Sequence, residues 1–212
     1  SVTIYHADCR DILPLLEPGS IDLVLTDPPY GVGLNTSYAK SGRGNLTASH
    51  DYPLLRGDNN PFDPEPYLIC QNIVLWGANY YSDKLPQSPV WLVWDKRDGI
   101  ALNDQADCEL AWTRGTHGTV PRTYHHLWNG MLKDSERDQR RVHPTQKPIA
   151  LMAWCLGFFP AAAVVLDPFM GSGTTLRAAK NTGRKAIGIE IEERYCDTAA
   201  RRMAQSVLPL GV

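Results

Sequence analysis

The sequence predicts an α/β fold in which helices cover both faces of one sheet. Short apolar runs alternate along the chain with helix-like segments. This pattern is typical of strands that are buried on both faces. A chain of 212 residues with 43% hydrophobic content can form one well-buried core and is short for two. We therefore expect residues 1–212 to form a single domain.

Seven short apolar runs are predicted to be strands. They are Val2–Tyr5, Ile21–Leu25, Ile73–Trp76, Val90–Trp94, Ala106–Trp112, Ala163–Leu166 and Ala186–Ile189. Five further segments are predicted to be helices. They are Arg10–Leu16, Pro64–Gln71, Ile149–Phe159, Gly173–Asn181 and Glu192–Gln205.

The segment Pro148–Leu166 needs a membrane test, because its nineteen residues carry no charge and reach the length of a spanning helix. Gly157 and Pro160 interrupt it, and the β-branched Val164 and Val165 suit a strand. We interpret the segment as a helix followed by a buried strand and expect no membrane contact.

Cysteine usage and the N-terminal residues indicate the compartment. The five cysteines are odd in number and tens of residues apart, which matches neither a zinc pattern nor a disulfide framework. The first residues lack a charged segment followed by an apolar one, so nothing suggests export. We expect the protein in a reducing cytoplasm.

The net charge of −2 excludes a uniformly basic surface for nucleic acid, so phosphate contacts require local patches. Lys133–Lys147 is such a patch, with five cations against three acids. The polar segments Gly31–Pro61 and Asn129–Pro144 match neither helix nor strand. Segments of this kind either meet a partner or lie in solvent, and the sequence leaves both interpretations open.

VVLDPFMGSGTT, residues 164–175, reads as a strand, a turn with two close glycines and the start of a helix. Glycines let a ligand approach the backbone at the carboxyl end of a strand. No lysine follows Gly173, as a phosphate-binding loop requires, and a dinucleotide fingerprint needs glycine where Leu176 stands. The acid at the mouth of the loop, Asp167, repels phosphates and attracts an ammonium group.

Glu190 ends the next predicted strand, nineteen residues after Gly171. At this spacing a carboxylate accepts hydrogen bonds from ribose hydroxyls. A ligand with a ribose, an amino group and no phosphate is S-adenosylmethionine. The alternative is that the glycines form an ordinary tight turn and that Glu190 is a solvated helix cap.

DPPY at 27–30, HPTQKP at 143–148 and DPFMGSGTT at 167–175 together resemble the amino-group DNA methyltransferases of prokaryotes and their phages. Residues 7–30 and 186–199 extend the resemblance over nearly the whole chain. The order, with the catalytic motif before the cofactor loop, is the one that this family calls beta. The resemblance implies a Rossmann-like sheet of seven strands, one of them antiparallel, and a restriction–modification setting in a bacterial cell or a phage-infected host.

The resemblance also implies S-adenosylmethionine as cofactor and a set of residues that bind it. The glycine loop would line its methionine part, Glu190 would hold the ribose, and Asp8 with Cys9 would lie against the adenine. His143 and Lys147 would pack over the cofactor, although His143 would equally suit a helix cap. The loop residues in this set are Asp167, Pro168, Phe169, Gly171, Ser172, Gly173 and Thr174.

The DPPY motif has the groups needed to activate an exocyclic amino group, whose lone pair is delocalised into the base. The Asp27 carboxylate and the Pro28 carbonyl, held rigid by Pro29, would accept its two N–H groups. Both bonds strengthen as the nitrogen gains positive charge. Tyr30 would stack on a base flipped out of the duplex. No metal is required, and the alternative is a rigid turn with a capping aspartate.

Within the family, aspartate at the first motif position favours N6-adenine and serine favours N4-cytosine, so Asp27 predicts site-specific adenine methylation of double-stranded DNA. N4-cytosine or RNA methylation and a non-catalytic protein that binds S-adenosylmethionine or DNA remain alternatives.

Only Gly115–Val142 is free for target recognition, which is short for a dedicated domain. The site is then very short or weakly specified, or the loop 31–61 or a second subunit of a homodimer assists. Six cations are candidates for phosphate contacts, although each taken singly also suits solvent. They are Lys40, Arg43, Lys133, Arg137, Arg140 and Arg141.

Overall fold

The computed structural model describes residues 1–33, 57–98, 106–115, 118–129, 132–137, 142 and 145–204. Its strands are β1 (Val2–His6), β2 (Leu23–Thr26), β3 (Asn72–Trp76), β4 (Trp91–Asp95), β5 (Cys108–Arg114), β6 (Arg122–His125), β7 (Trp128–Asn129), β8 (Leu132–Lys133), β9 (Val164–Asp167) and β10 (Lys185–Glu190). Its α-helices are α1 (Cys9–Ile12), α2 (Ile149–Gly157), α3 (Thr174–Asn181) and α4 (Glu193–Ala204).

Eight strands form one sheet in the order β1-β10-β9-β2-β3-β5-β4-β6, and β7 pairs with β8 in a separate hairpin. Within the large sheet β5 is antiparallel to both of its neighbours, and the other pairs are parallel. The predicted α/β class and the single antiparallel strand are therefore confirmed, and all seven predicted strands are present.

The eighth strand, β6, was not predicted, and the count of seven was too low. Its sequence is RTYH, and it lies at the edge of the sheet, where β4 is its one partner among the described strands. Most of its side chains are exposed, so it lacks the continuous apolar run that is typical of a strand buried on both faces.

The predicted helices are confirmed at four places and wrong at one. Helix α1 continues as a 3-10 turn, Leu13–Leu15, and α2, α3 and α4 lie where they were expected. The segment Pro64–Gln71 contains only the 3-10 turn Glu65–Tyr67. Pro66 lies in the first turn, where proline is tolerated, and the chain leaves the helical conformation only two residues later, at Leu68.

The two faces of the sheet carry separate apolar clusters. Leu23 and Leu25 of β2 pack with residues of α2, α3 and α4 on one face. Val24 points to the opposite face, where it packs with Ile73 and Tyr67. Both faces are therefore covered, as the continuous apolar runs predicted.

The uncharged segment 148–166 forms α2 followed by β9, which agrees with the interpretation made from its sequence. In the part of the chain that the structure describes, no helix has the length and apolar character needed to span a membrane.

The long polar segment 31–61 starts and ends at one point of the domain. Its residues 34–56 lie outside the described part of the chain. At its ends, the buried Asp58 accepts the N–H of Gly31 through its carboxylate, and its carbonyl accepts the N–H of Gly33. A Cβ at Gly31 would lie 2.3 Å from the carbonyl oxygen of Asn60. The described ends of the segment therefore lie next to each other, directly after the DPPY motif.

Candidate active site

The site begins where the parallel neighbours β2 and β9 end at the same edge of the sheet. Thr26, the last residue of β2, donates its hydroxyl to Asp167, the last residue of β9, over 2.6 Å. Both side chains are buried. This hydrogen bond joins the DPPY motif to the glycine loop, which are 140 positions apart in sequence.

Tyr30 is held over the carboxylate of Asp27. Its hydroxyl donates to Asp27 Oδ1 over 2.5 Å, and its ring is stacked on Tyr80 with the centroids 5.1 Å apart. Gly77 makes room for the ring, since a Cβ there would lie 1.9 Å from a ring carbon. Tyr80 is 56% exposed, so the two rings form an aromatic surface that reaches solvent.

Lys147 contacts the other oxygen of Asp27. Its ammonium, on a side chain only 5% exposed, lies 2.5 Å from Asp27 Oδ2 and 3.0 Å from Glu109 Oε2. It also donates to the Tyr30 hydroxyl over 3.2 Å. The second oxygen of Glu109 accepts from Lys96 over 2.9 Å. Asp27, Lys147, Glu109 and Lys96, which we call the charge cluster, therefore contain two acids and two bases.

Lys147 was predicted from the sequence to pack over the cofactor, and Glu109 and Lys96 were not identified. Lys147 does line the cleft described below, but its ammonium is paired with the acid of DPPY. Glu109 lies inside a strand that was predicted to be buried. A buried carboxylate requires a cationic partner, and this was the available signal, although it does not say which lysine provides the pair.

The charge cluster changes the protonation of its members. Burial raises the pKa of Asp27, and the Lys147 ammonium opposes this rise. Burial also acts on Glu109, but the two lysine ammonium groups outweigh it and bring the pKa of Glu109 down to about 2. Burial, together with the neighbouring Asp27 carboxylate, raises the pKa of Tyr30, so the hydroxyl remains a donor.

A cleft opens between the DPPY motif and the glycine loop. Its lining combines residues from the three motifs singled out in the sequence and one residue of α2. The lining residues are Asp27, Thr145, Gln146, Lys147, Met152, Asp167, Phe169, Met170, Gly171, Ser172, Thr174 and Thr175. Pro168 and Gly173 belong to the same loop but do not line the cleft, and neither do Asp8, Cys9 and Glu190.

The glycine loop is held mainly by backbone and hydroxyl hydrogen bonds to two acids. Asp167 accepts the N–H of Phe169 over 3.1 Å in addition to the Thr26 hydroxyl. Burial raises the pKa of Asp167 to about 6. Glu190 at the end of β10 accepts the N–H of Gly171 on one oxygen and that of Glu192 on the other. Burial likewise raises the pKa of Glu190.

Gly173 is required by both conformation and space. It has a φ of +80°, and a Cβ there would lie 2.9 Å from Ala199 on α4. The loop also receives Arg202 of α4, whose guanidinium donates to the Ser172 carbonyl over 2.8 Å. Arg202 lies 3.6 Å from Glu136, which caps the N–H of Ile149 at the start of α2. Neither Arg202 nor Glu136 was identified from the sequence.

Asp8 and Cys9 lie beside the cleft, at the end of β1. The N–H of Ala7 bonds to the Glu190 carbonyl, which places the two residues next to the β10 end. The Asp8 carboxylate accepts the backbone N–H of Arg10 over 2.9 Å and caps α1. Cys9 is buried against the Tyr67 hydroxyl at 3.4 Å.

Two of the six cations predicted to contact phosphates are in the described residues. Lys133 lies over the ring of Trp128 at 4.8 Å, and Arg137 donates to the Lys133 carbonyl over 2.9 Å. Lys133 is the last residue of β8 and Arg137 follows the β7–β8 hairpin, and both lie within the predicted recognition region 115–142. Lys40, Arg43, Arg140 and Arg141 lie outside the described residues, as does His143.

The charges that line the cleft favour a cationic ligand. Among its described lining residues, Asp27 and Asp167 are acids and Lys147 is the only cation. Lys147 is already paired with two carboxylates, so the lining offers no unpaired cation for a phosphate. S-adenosylmethionine carries an ammonium and a sulfonium and therefore fits this set of charges.

Comparisons with known proteins point to one family. A family model described as DNA methylase, of the N6/N4 methyltransferase type, matches residues 37–201. The chain is 26% identical over 253 aligned residues to the type II methyltransferase M.ScaI of Streptomyces caespitosus. That alignment covers 95% of this chain and 81% of the relative.

Solved structures share the fold. The M1.HpyAVI–SAM complex matches with a TM-score of 0.59 and 23% identity, over 97% of this chain and 100% of that one. The PvuII DNA methyltransferase, described as cytosine-N4-specific, matches with a TM-score of 0.63 and 16% identity, over 98% of this chain and 88% of that one.

Proposed function

The chain belongs to the N6/N4 family of DNA methylases, and on that premise we propose that it methylates the N6 amino group of an adenine flipped out of double-stranded DNA. S-adenosylmethionine is the methyl donor of this family. The observation that carries the proposal is the single cleft that Asp27 shares with the glycine loop, because methyl transfer requires the acceptor nitrogen and the donor to meet in one place.

We propose that Asp27 and the carbonyl of Pro28 hold the amino group. Asp27 has one oxygen on Tyr30 and the other on Lys147, and each carboxylate oxygen can accept a second hydrogen bond. A hydrogen bond from the base would fix the nitrogen as it turns towards the donor. The bond strengthens as positive charge develops on the nitrogen, which lowers the barrier.

The aromatic surface of Tyr30 and Tyr80 would receive the flipped base. Because the Tyr30 ring is already stacked on Tyr80, we propose that the base contacts the two rings together rather than Tyr30 alone. Stacking would return part of the energy lost when the base leaves the duplex.

S-adenosylmethionine supplies a methyl group on a positively charged sulfur. The leaving group is then a neutral thioether, which departs easily. On this proposal the glycine loop, from Asp167 to Thr174, surrounds its amino-acid part, and Glu190 faces the ribose with Asp8 and Cys9 beside the adenine. The Glu190 oxygens already accept two backbone N–H groups. Their orientation is therefore fixed before a ribose hydroxyl arrives.

The adenine assignment depends on Asp27 at the first position of DPPY. The nearest alternative is N4 of cytosine, which the same two acceptors could hold. The likeness to the cytosine-specific PvuII enzyme is at 16% identity and concerns the fold, so it does not outweigh Asp27.

DNA contact would come from the surfaces next to the cleft. We propose that Lys133 and Arg137 beside the β7–β8 hairpin contact phosphates, and that segment 31–61, which starts directly after Tyr30, assists in recognition, with a homodimer partner completing the surface. The beta order of motifs and a cytoplasmic site of action, in a bacterium or a phage-infected host, belong to the same proposal.

The test is nucleoside mass spectrometry on unmethylated DNA that has been incubated with the protein and methyl-labelled S-adenosylmethionine. Labelled N6-methyladenine is the expected product. N4-methylcytosine would overturn the adenine assignment and keep the rest. If the protein binds S-adenosylmethionine and labels no base in DNA or RNA, the catalytic proposal fails. Asp27→Asn, which keeps the size of the side chain, is the matched control.

A further inference from the structure

Glu109 lies on the antiparallel strand β5, outside every motif that resembles the family, yet it reaches the centre of the site. We propose that Glu109 is a positioning residue that acts through Lys147 and keeps Asp27 available as an acceptor for the amino group of the base. The inference rests on the proposed function, because it assigns a role within that same site.

The geometry around the Lys147 ammonium supports this role for Glu109. The Lys147 ammonium has three N–H donors, and it has three acceptors within bonding distance: Asp27 at 2.5 Å, Glu109 at 3.0 Å and the Tyr30 hydroxyl at 3.2 Å. Three acceptors fix the position of a group that would otherwise rotate freely. Without Glu109, the buried ammonium would keep only the acceptors of the DPPY motif and would compete with the base for them.

The charges around Asp27 support the same role. To stabilise a developing positive charge, the Asp27 carboxylate must keep a negative electrostatic potential at the amino nitrogen. The Lys147 ammonium, 2.5 Å from the carboxylate, reduces that potential. Glu109 supplies a second negative charge to the same ammonium. If Glu109 loses its charge, Lys147 and Lys96 leave the surroundings of Asp27 with a net positive charge, and Asp27 becomes a weaker acceptor.

Five titratable groups act on Asp27 or respond to it. Lys147 precedes α2, Tyr30 belongs to the same turn as Asp27, Glu109 lies on β5, Asp167 is the last residue of β9, and Tyr81 follows β3. Burial raises the pKa of both tyrosines, so they stay neutral. Removal of the Glu109 charge should therefore lower the pKa of Asp27.

The experiment compares Glu109→Gln, which keeps the shape and removes the charge, with Lys96→Met, which removes a positive charge from the same cluster. The midpoint of the Asp27 carboxyl titration is followed by carbon-13 NMR in the ligand-free protein, and Asp27→Asn assigns the signal. We expect the midpoint to fall in Glu109→Gln and to rise in Lys96→Met. Shifts of opposite sign cannot result from a general loosening of the structure.

Activity gives the second measurement. For Glu109→Gln we expect kcat to fall about ten- to a hundredfold, by analogy with the loss of activity when the residue behind a metal-bound histidine is changed, with KM for S-adenosylmethionine within about threefold. Glu109→Asp restores the charge and should recover part of kcat. Glu17→Gln, the same chemical change at an exposed residue, is the control and should behave as wild type.

The outcomes separate this inference from the proposed function. An unchanged Asp27 midpoint in Glu109→Gln, or shifts of the same sign in the two variants, overturns the role of Glu109 whether or not methylation is observed. A wild-type protein that labels no base overturns the proposed function, while the titration still decides the electrostatic role. If Glu109→Gln does not fold, the rise in Lys96→Met carries the test.

Discussion

The two ends of the cleft hold their acids in different ways. At the DPPY end, Asp27 and Glu109 are held by the side chains of lysines and a tyrosine, and Lys147 is far from Asp27 in the sequence. At the glycine-loop end, Asp167 and Glu190 are held mainly by backbone N–H groups of nearby turns, and Asp167 also accepts the Thr26 hydroxyl at the end of β2. Charge therefore organises one end and backbone conformation the other, and changes of charge should affect them unequally.

The largest effect is expected for Asp27→Ala. Without the carboxylate the amino group loses its acceptor in the transition state, and we expect kcat to fall by about a thousandfold or more. Affinity for S-adenosylmethionine should stay within a few-fold, because the glycine loop does not depend on Asp27. Single-turnover methylation and calorimetry measure the two quantities. Full activity in Asp27→Ala would exclude the mechanism.

Lys147→Met should produce the next largest effect, on stability. The change leaves two buried carboxylates without their shared cation, and we expect a loss of about 3 kcal/mol in the free energy of unfolding. Without the ammonium, burial and the Glu109 carboxylate raise the pKa of Asp27 above its unfolded value, and the hydrogen bond from Tyr30 opposes this rise. The folded variant then binds a proton more tightly, so its deficit should shrink as the pH is lowered.

Urea unfolding at several pH values measures this effect. Lys185→Met, at an exposed position, is the matched control and should stay within about 0.5 kcal/mol of wild type. A Lys147→Met protein as stable as the control at neutral pH would show that the charge cluster does not hold the DPPY end together.

Glu190→Ala should affect the other end of the cleft and leave the charge cluster intact. We expect S-adenosylmethionine to bind at least about tenfold more weakly, which is a loss of about 1.4 kcal/mol in the free energy of binding. Unfolding should cost about 1 kcal/mol, because two backbone N–H groups lose their acceptor. Calorimetry of Glu190→Ala beside Glu193→Ala, an exposed acid on α4, separates the roles. Unchanged affinity would remove Glu190 from the cofactor site.

The smallest effect is the pH dependence of cofactor binding. Asp167 has a pKa near 6, and a cationic ligand favours its ionised form. Lowering the pH through 6 should therefore weaken binding, by up to about tenfold per pH unit below that value. Calorimetry between pH 5 and 8 measures the slope, and Asp167→Asn should flatten it. A wild-type affinity that does not change with pH would contradict this role.

The same contrast explains which parts were predictable. The glycine loop and its acids follow one another within a strand, a turn, a helix and the next strand, so Asp167, Gly171 and Glu190 were identified from spacing. The charge cluster joins residues from four distant segments, and no local pattern pairs Glu109 with Lys147 or Arg202 with Ser172. Strand β6 was missed for a related reason, since a polar edge strand has no apolar signature.

The pinned ends of segment 31–61 have a consequence for how the protein can diversify. Asp58 already joins the two ends, so contacts within the domain offset the entropy that is lost when the loop is closed. Each doubling of a flexible loop's length adds only about 0.6 kcal/mol to this entropic cost. We expect the catalytic turn to stay in place when segments of other lengths and compositions are inserted between residues 33 and 57. The two joined ends would then hold the catalytic turn in the same position whichever sequence stands between them.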